Sequence, residues 1–191
     1  IDSNQILYDY VKAMEEQGSL VAIADLAGTY PGTTVPYDEF YLVLPQPLQG
    51  WWMEAQTGGS IPSQSATMGF SYSDATGYYR KTGAEDQVRV TIYDNMGQEP
   101  GPGSGVIFPY SAILQGWGFS YETTEGYAKS SSVFGYPAWE TGTYSGKSGV
   151  LTVRLGSATI SEGMIWPFVT LICGGLAAKK VCSRRLRESR G

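Results

Sequence analysis

Histidine is absent from the 191 residues, and cysteine occurs only twice. Without histidine the chain lacks the usual general base, so Ser-His-Asp and Cys-His catalysis are excluded. Zinc sites built on histidine are excluded as well, and two cysteines cannot form a four-cysteine site. Because Cys173 and Cys182 both lie near the end of the sequence, no disulfide framework is expected. We therefore expect no metal and no cofactor.

Charged residues are also scarce, at 16% of the chain, and they are unevenly distributed. Residues 1–178 carry 17 acidic and 7 basic side chains, a net charge of −10, whereas residues 179–191 carry 1 and 6, a net charge of +5. An acidic body repels phosphate backbones, so nucleic-acid binding is not expected. The 25 glycines, 14 tyrosines and 10 prolines are typical of an exported, turn-rich domain built from strands.

Hydrophobic periodicity predicts an α+β domain over residues 1–156. Residues 3–17 are predicted to form a helix, because Ile6, Leu7, Tyr10, Val11 and Met14 fall on one face at helical spacing. Residues 87–94 alternate as a strand does, with Val88, Val90 and Ile92 on one side. Further strands are predicted at 20–26, 39–44, 66–73, 77–81, 118–122, 127–134 and 150–155. We expect an antiparallel β-sheet with the N-terminal helix packed on it.

The end of the chain predicts a membrane anchor. The 15 residues from Met164 to Ala178 are uncharged and are followed by basic residues, the arrangement of a span whose tail is cytoplasmic. Residues 157–163 are predicted to be a linker, 164–182 a transmembrane helix of about 28 Å, and 183–191 a basic tail. The residues expected to contact lipid are Trp166, Phe168, Leu171, Ile172, Lys179 and Lys180. The alternative is a C-terminal strand or helix buried against the body, because the uncharged run is short for a span.

Three short patterns resemble known sites. Gly142–Ser148 resembles a phosphate loop, but three residues separate its glycines where four are needed, and a hairpin turn fits better. Residues 94–99 offer oxygen ligands for calcium, but they lack the alternating ligands of an EF-hand. Glu122 and Glu125 could act as a carboxylate pair in a glycosidase, or they could be two solvated side chains of a turn.

Aromatic residues supply the candidate binding surface. Exposed rings near strand ends favour recognition of a partner protein or a glycan, whereas buried rings would fill the core of a β-domain. The partner-binding candidates are Trp51, Trp52, Trp117, Tyr136 and Trp139.

Three segments together resemble small exported bacterial proteins of unknown function. Their pattern is Leu-Pro…Gly-Trp in residues 44–51, Val-x-Val-x-Ile-x-Asp in 88–94, and Glu-Gly-Tyr…Gly-Tyr-Pro-Ala…Lys-Ser-Gly-x-Leu-x-Val in 125–153. The resemblance covers roughly residues 40–156. More loosely, the chain is similar to the α/β sandwich of PsbP-like proteins, which implies a non-catalytic accessory role. It departs from them after Leu155, where they continue with a further strand and a helix.

The function expected from the sequence is that of a non-enzymatic envelope protein. It would be held in the cell membrane by one span, with its body outside the cytoplasm, and it would bind a partner protein in a membrane assembly. The alternative is an exported hydrolase that uses Glu122 and Glu125.

Overall fold

A computed structural model describes residues 3–30, 33–61, 72–94, 120–145, 148–155 and 167–175. Three helices come first along the chain: α1 (Ser3–Glu16), α2 (Ser19–Thr29) and α3 (Tyr37–Tyr41). Eight strands follow within the described ranges, and their bounds are β1 (Trp51–Ile61), β2 (Tyr72–Lys81), β3 (Asp86–Asp94), β4 (Ser120–Glu122), β5 (Gly126–Val133), β6 (Tyr136–Thr143), β7 (Ser148–Arg154) and β8 (Pro167–Gly175). The coarse prediction of an α+β fold with an antiparallel sheet is confirmed.

The eight strands form one antiparallel sheet in the order β1-β2-β3-β8-β7-β6-β5-β4. It consists of two series of strands that are neighbours both in sequence and in the sheet, β1 to β3 and β4 to β8, and the pairing of β3 with β8 joins them. In the middle of the sheet, Leu171 of β8 lies opposite Val90 of β3 and Leu151 of β7. β1 and β4 are the outermost strands.

The helices lie on one face of this sheet. α1 contacts β7 and β8, α2 contacts α1 and β8, and α3 contacts β1 and β2. The buried side chains of α1 include Leu7, Tyr10, Val11 and Met14, which recur at the helical spacing read from the sequence. Val88, Val90 and Ile92 of β3 are also fully buried in this core, so the side predicted for these residues is confirmed.

Residues 20–26 form part of α2, so the strand predicted there is wrong. The buried residues Leu20, Ile23 and Ala27 are three and four positions apart, which places them on one face of a helix. Several alanines in this run also favour a helix over a strand. Residues 39–44 were likewise predicted as a strand, but Glu39–Tyr41 belong to the short helix α3.

The strands predicted separately at 66–73 and 77–81 leave a break at Asp74–Thr76, and this break is also wrong, because β2 continues through these residues and pairs with both β1 and β3. The predicted strand 118–122 lies in the structure as β4, over Ser120–Glu122, and residues 66–71 and 118–119 lie outside the described residues.

The end of the chain differs from the predicted helix. Residues 167–175, which include Phe168, Leu171 and Ile172, form β8 and not part of a helix over 164–182. An uncharged run of this length suits a strand with neighbours on both sides, because an interior strand does not need to alternate polar and apolar residues. Trp166, Lys179 and Lys180 lie outside the described residues. In the part of the chain that the structure describes, no helix is long and apolar enough to cross a membrane.

The hairpin between β5 and β6 turns on two residues with positive φ. Phe134 has φ 51° and Gly135 has φ 82°, and Val133 pairs directly with Tyr136. Two successive residues of this conformation form a type I′ turn, which matches the twist of the paired strands. A non-glycine residue adopts this conformation only at a cost in free energy.

Candidate functional site

The two adjacent tryptophans at the start of β1 point to opposite faces of the sheet. The Trp51 ring is half-buried and meets Tyr10 of α1 edge-on, with ring centroids 5.6 Å apart and planes at 87°. Trp52 lies on the face away from the helices and is 47% exposed. Of this pair, Trp52 therefore offers the accessible ring.

The other aromatic candidates occupy different settings. Tyr136 is partly buried and packs against the core. Trp139 is only 4% exposed and lies opposite Thr152 of β7, on the face away from the helices. Trp117 lies outside the described residues. The four candidates that the structure describes do not form a common surface. The role of the five residues in partner binding stays a prediction.

The outer edge of β1 is the longest accessible strand edge in the described sheet. β1 has 11 residues and pairs with β2 on one side, with a bulge between Met53 and Ala55. From Glu54 to Gly58 every residue is exposed, and so is Ser60. Natural edge strands are usually protected by charged side chains, proline or short length, because unpaired backbone groups accept a further strand. Residues 55–61 contain neither a charge nor a proline.

The single charged residue of β1 is already paired within the chain. The Arg80 Nε atom donates to the Glu54 Oε2 atom at 2.6 Å, across the β1–β2 pair. This ion pair is partly exposed, so it contributes little to stability. It does neutralise the carboxylate on β1, which leaves the edge without an unpaired charge that would repel an incoming strand.

Two tyrosines of α3 lie beside the same edge. The rings of Tyr37 and Tyr41 pack edge to face, with centroids 5.7 Å apart. Both touch the space above Gly58, where an added Cβ atom would lie 2.8 Å from the Tyr37 ring and 2.9 Å from the Tyr41 hydroxyl. Tyr37 is 36% exposed. A strand added to β1 would therefore meet an aromatic side chain on the helix face and Trp52 on the other.

The carboxylates of the hydrolase alternative are both exposed. Glu122 ends β4 and Glu125 lies in the following turn, where its N–H donates to the Thr123 hydroxyl at 3.2 Å. An acid–base pair of the glycosidase type needs one carboxyl group in a less polar environment than the other. Neither residue is buried, so the geometry does not favour that chemistry.

A buried carboxylate that the sequence did not single out joins α1 to the sheet. Glu140 of β6 is 3% exposed, and its Oε2 atom accepts a hydrogen bond from the Tyr8 hydroxyl at 2.8 Å. Its Oε1 atom accepts bonds from the Asn4 amide, at 3.1 Å, and from the Tyr127 hydroxyl. The Lys129 Nζ atom lies 3.6 Å from Oε2 and over the Tyr127 ring. Burial raises the pKa of Tyr8 above its ordinary value. The hydrogen bond to Glu140 and the negative charge of Glu140 raise this pKa further.

Asn4 fits into this network because two paired residues beneath it are glycines. Gly142 and Gly149 lie opposite each other on β6 and β7, and a Cβ atom on either would overlap the Asn4 amide. Asn4 also donates to the Tyr127 hydroxyl. The network therefore positions the start of α1 on three strands, and its geometry is that of a structural anchor.

The calcium candidate begins at a residue with a structural role. Asp94 is fully buried, and its Oδ2 atom accepts a hydrogen bond from the Val35 backbone N–H at 2.7 Å. This bond holds the segment before α3 against the end of β3. Residues 95–99 lie outside the described residues, and within the described ranges no three metal-ligating side chains cluster.

The Gly142–Ser148 segment connects β6 to β7, two antiparallel neighbours in the sheet. A phosphate loop precedes a helix, whose N-terminus holds the phosphate. The strand β7 follows here instead, which agrees with the hairpin interpretation.

Comparisons of the chain with protein-family models, with curated proteins and with solved structures give no match. The resemblance to exported bacterial proteins and to PsbP-like domains therefore stays a prediction.

Proposed function

We propose that this protein is a non-enzymatic accessory domain that binds a partner protein by adding a strand of that partner to β1. The observation that carries the proposal is the outer edge of β1, 11 residues long and exposed from Glu54 to Gly58. Backbone N–H and C=O groups along such an edge supply the hydrogen bonds of an additional strand.

The side chains around the edge provide the specificity. Successive residues of an added strand point alternately to the two faces of the sheet. On the helix face they meet the Tyr37 ring above Gly58, and on the opposite face they meet Trp52 and Thr57. Tyrosine and tryptophan are enriched in protein interfaces because they bury a large area at a small cost in side-chain entropy.

The net charge of −10 over residues 1–178 favours a basic partner. Long-range attraction of this kind increases the rate of association and discriminates against acidic partners. Attachment to a cell membrane and a body outside the cytoplasm stay predictions from the sequence, and the binding proposed for β1 requires neither.

Photocrosslinking from the edge strand tests the proposal. A photoreactive amino acid at Thr57, on the exposed part of β1, is expected to capture one partner in the native host through a continuous segment of that partner. The matched control is the same amino acid at Ser132, an exposed position of β5, which is expected to capture nothing specific.

The variant Thr57→Lys adds the charge with which natural edge strands prevent further pairing. When the photoreactive amino acid is placed at position 52 instead, Thr57→Lys is expected to abolish capture of that partner. Ser132→Lys is expected to leave the capture unchanged. Equal capture from positions 57 and 132, or undiminished capture in Thr57→Lys, would show that β1 is not the binding edge.

A further inference from the structure

A second accessible site lies at the other end of the sheet, on the face away from the helices. Tyr121, Ala128, Thr141 and Val150 lie side by side on β4, β5, β6 and β7. Thr141 follows the helix-facing Glu140 along β6, so its side chain points to the opposite face. These residues line an open groove of about 430 Å³. That volume lies in the range of small-molecule sites.

The groove exists because its floor is made of small residues while one side is aromatic. Ala128 and Thr141 form the floor, and the Tyr121 ring beside them is 58% exposed. Gly142 and Gly149, also in the lining, contribute only backbone atoms to it, because their Cβ positions face Asn4 on the helix side. A flat ligand can therefore lie along the floor with one face against the tyrosine ring.

The polar groups of the lining are hydroxyls and one carboxylate. Thr141, Thr143 and Ser148 supply hydroxyl groups, and Glu125 supplies the carboxylate. Each hydroxyl both donates and accepts hydrogen bonds, and the carboxylate accepts them. A pyranose ring offers the complementary features, an apolar C–H face for the aromatic ring and a rim of hydroxyl groups.

The charge of the lining restricts the class of sugar. The described residues that line the groove include no lysine or arginine, and the one charged residue among them is Glu125. Sulfated or carboxylated sugars would place like charges together, which is unfavourable. We propose that the groove binds an oligosaccharide of uncharged or amine-bearing hexoses. This site is separate from β1 and does not depend on the function proposed for that strand.

Titration of the full chain with three tetrasaccharides tests the proposal, with amide chemical shifts and calorimetry as readouts. The probes are the tetramers of N-acetylglucosamine, of glucosamine and of galacturonic acid. The first two are expected to shift the amides of Ala128 and Thr141 saturably, and the anionic third to bind at least tenfold more weakly. Tyr121→Ala is expected to weaken binding roughly three- to tenfold, the contribution of one aromatic contact.

Two further variants make the result specific. Tyr144→Ala removes an equally exposed tyrosine that does not line the groove, and it is expected to leave affinity unchanged. Ala128→Leu fills the floor without removing a contact and is expected to abolish binding. Failure of both the uncharged and the amine-bearing tetramer to bind would overturn the proposal. So would equal binding of the anionic tetramer, or equal losses in Tyr121→Ala and Tyr144→Ala.

Discussion

The bond between Tyr8 and Glu140 is predicted to stabilise the fold through the charge of the carboxylate. Glu140 is buried and accepts hydrogen bonds from Tyr8, Tyr127 and Asn4. A hydrogen bond to a charged acceptor contributes about 1.5–3 kcal/mol, against about 1 kcal/mol for a neutral pair. Glu140→Gln keeps the shape but removes the charge and replaces one acceptor oxygen with an NH2 group, so the three bonds weaken or are lost. Because the buried charge also has a desolvation cost that the substitution removes, we expect a net loss of about 2 kcal/mol.

A double-mutant cycle with Tyr8→Phe isolates one of these bonds. Tyr8→Phe alone is expected to lower the free energy of unfolding by about 1–1.5 kcal/mol. In the Glu140→Gln background the charged acceptor of the Tyr8 bond is already removed, so the two losses should fall short of additivity by about 1 kcal/mol. Urea unfolding followed by circular dichroism measures all four proteins.

The matched control for this cycle is Tyr37→Phe. Tyr37 is an exposed tyrosine on α3 and shares no partner with Glu140. It should combine with Glu140→Gln additively, to within about 0.3–0.5 kcal/mol. Additivity between Tyr8→Phe and Glu140→Gln to the same precision would refute the inference that the Tyr8–Glu140 bond stabilises α1 on the sheet.

Two further predictions concern the hairpin turn and the buried tyrosines. Phe134→Asn should raise the free energy of unfolding by about 0.5–1 kcal/mol, because asparagine tolerates positive φ and the Phe134 ring is 50% exposed. A loss of stability in urea unfolding would mean that the ring contributes more than the backbone strain costs. Burial raises the pKa of Tyr79 and Tyr93 above the ordinary 10.0, so the folded state keeps these protons when the unfolded chain has lost them. The stability that these two tyrosines contribute is complete below pH 10 and is lost as the pH rises further. Their tyrosinate absorbance should therefore appear together with unfolding. Ionisation of all tyrosines near pH 10 in a protein that is still folded would contradict this.

The fold could be predicted from the sequence where one face of an element is buried. In α1 the apolar residues recur at helical spacing, and in β3 they alternate. Burial of a single face therefore produces a periodic pattern of apolar residues in the sequence. The period was lost in α2, where Leu20 to Leu26 is almost continuously apolar and a strand and a buried helix look alike.

At residues 167–175 the strand differs from the predicted helix for a related physical reason. A strand in the middle of a sheet has neighbours on both edges, and when both faces are covered it reads as an unbroken apolar run. A short membrane helix reads the same way. The deciding property is the pairing of β8 with β3, which links distant parts of the chain and leaves no local trace.

The candidate sites were also difficult to predict, because they depend on strand register and on contacts between distant parts of the chain. Trp51 and Trp52 were selected by composition, but alternation along β1 places them on opposite faces, and only the register shows which ring is accessible. Glu140 was overlooked because its partners Asn4 and Tyr8 lie more than 100 residues away. The groove beside Tyr121 needs four strands in register before it exists.

β8 comes last along the described chain, yet it lies between β3 and β7, and this order governs how the protein folds. β1 to β3 and β4 to β8 each pair with neighbours in sequence, so each series can form early. Until β3 and β8 meet, both expose an unpaired edge, and such edges promote misassembly. Because the paired residues of β3 and β8 are far apart in sequence, we expect the joining of these two strands to be the slow step. The apolar segment near the C-terminus is therefore the part of the chain that turns two separate sheets into one cooperative structure.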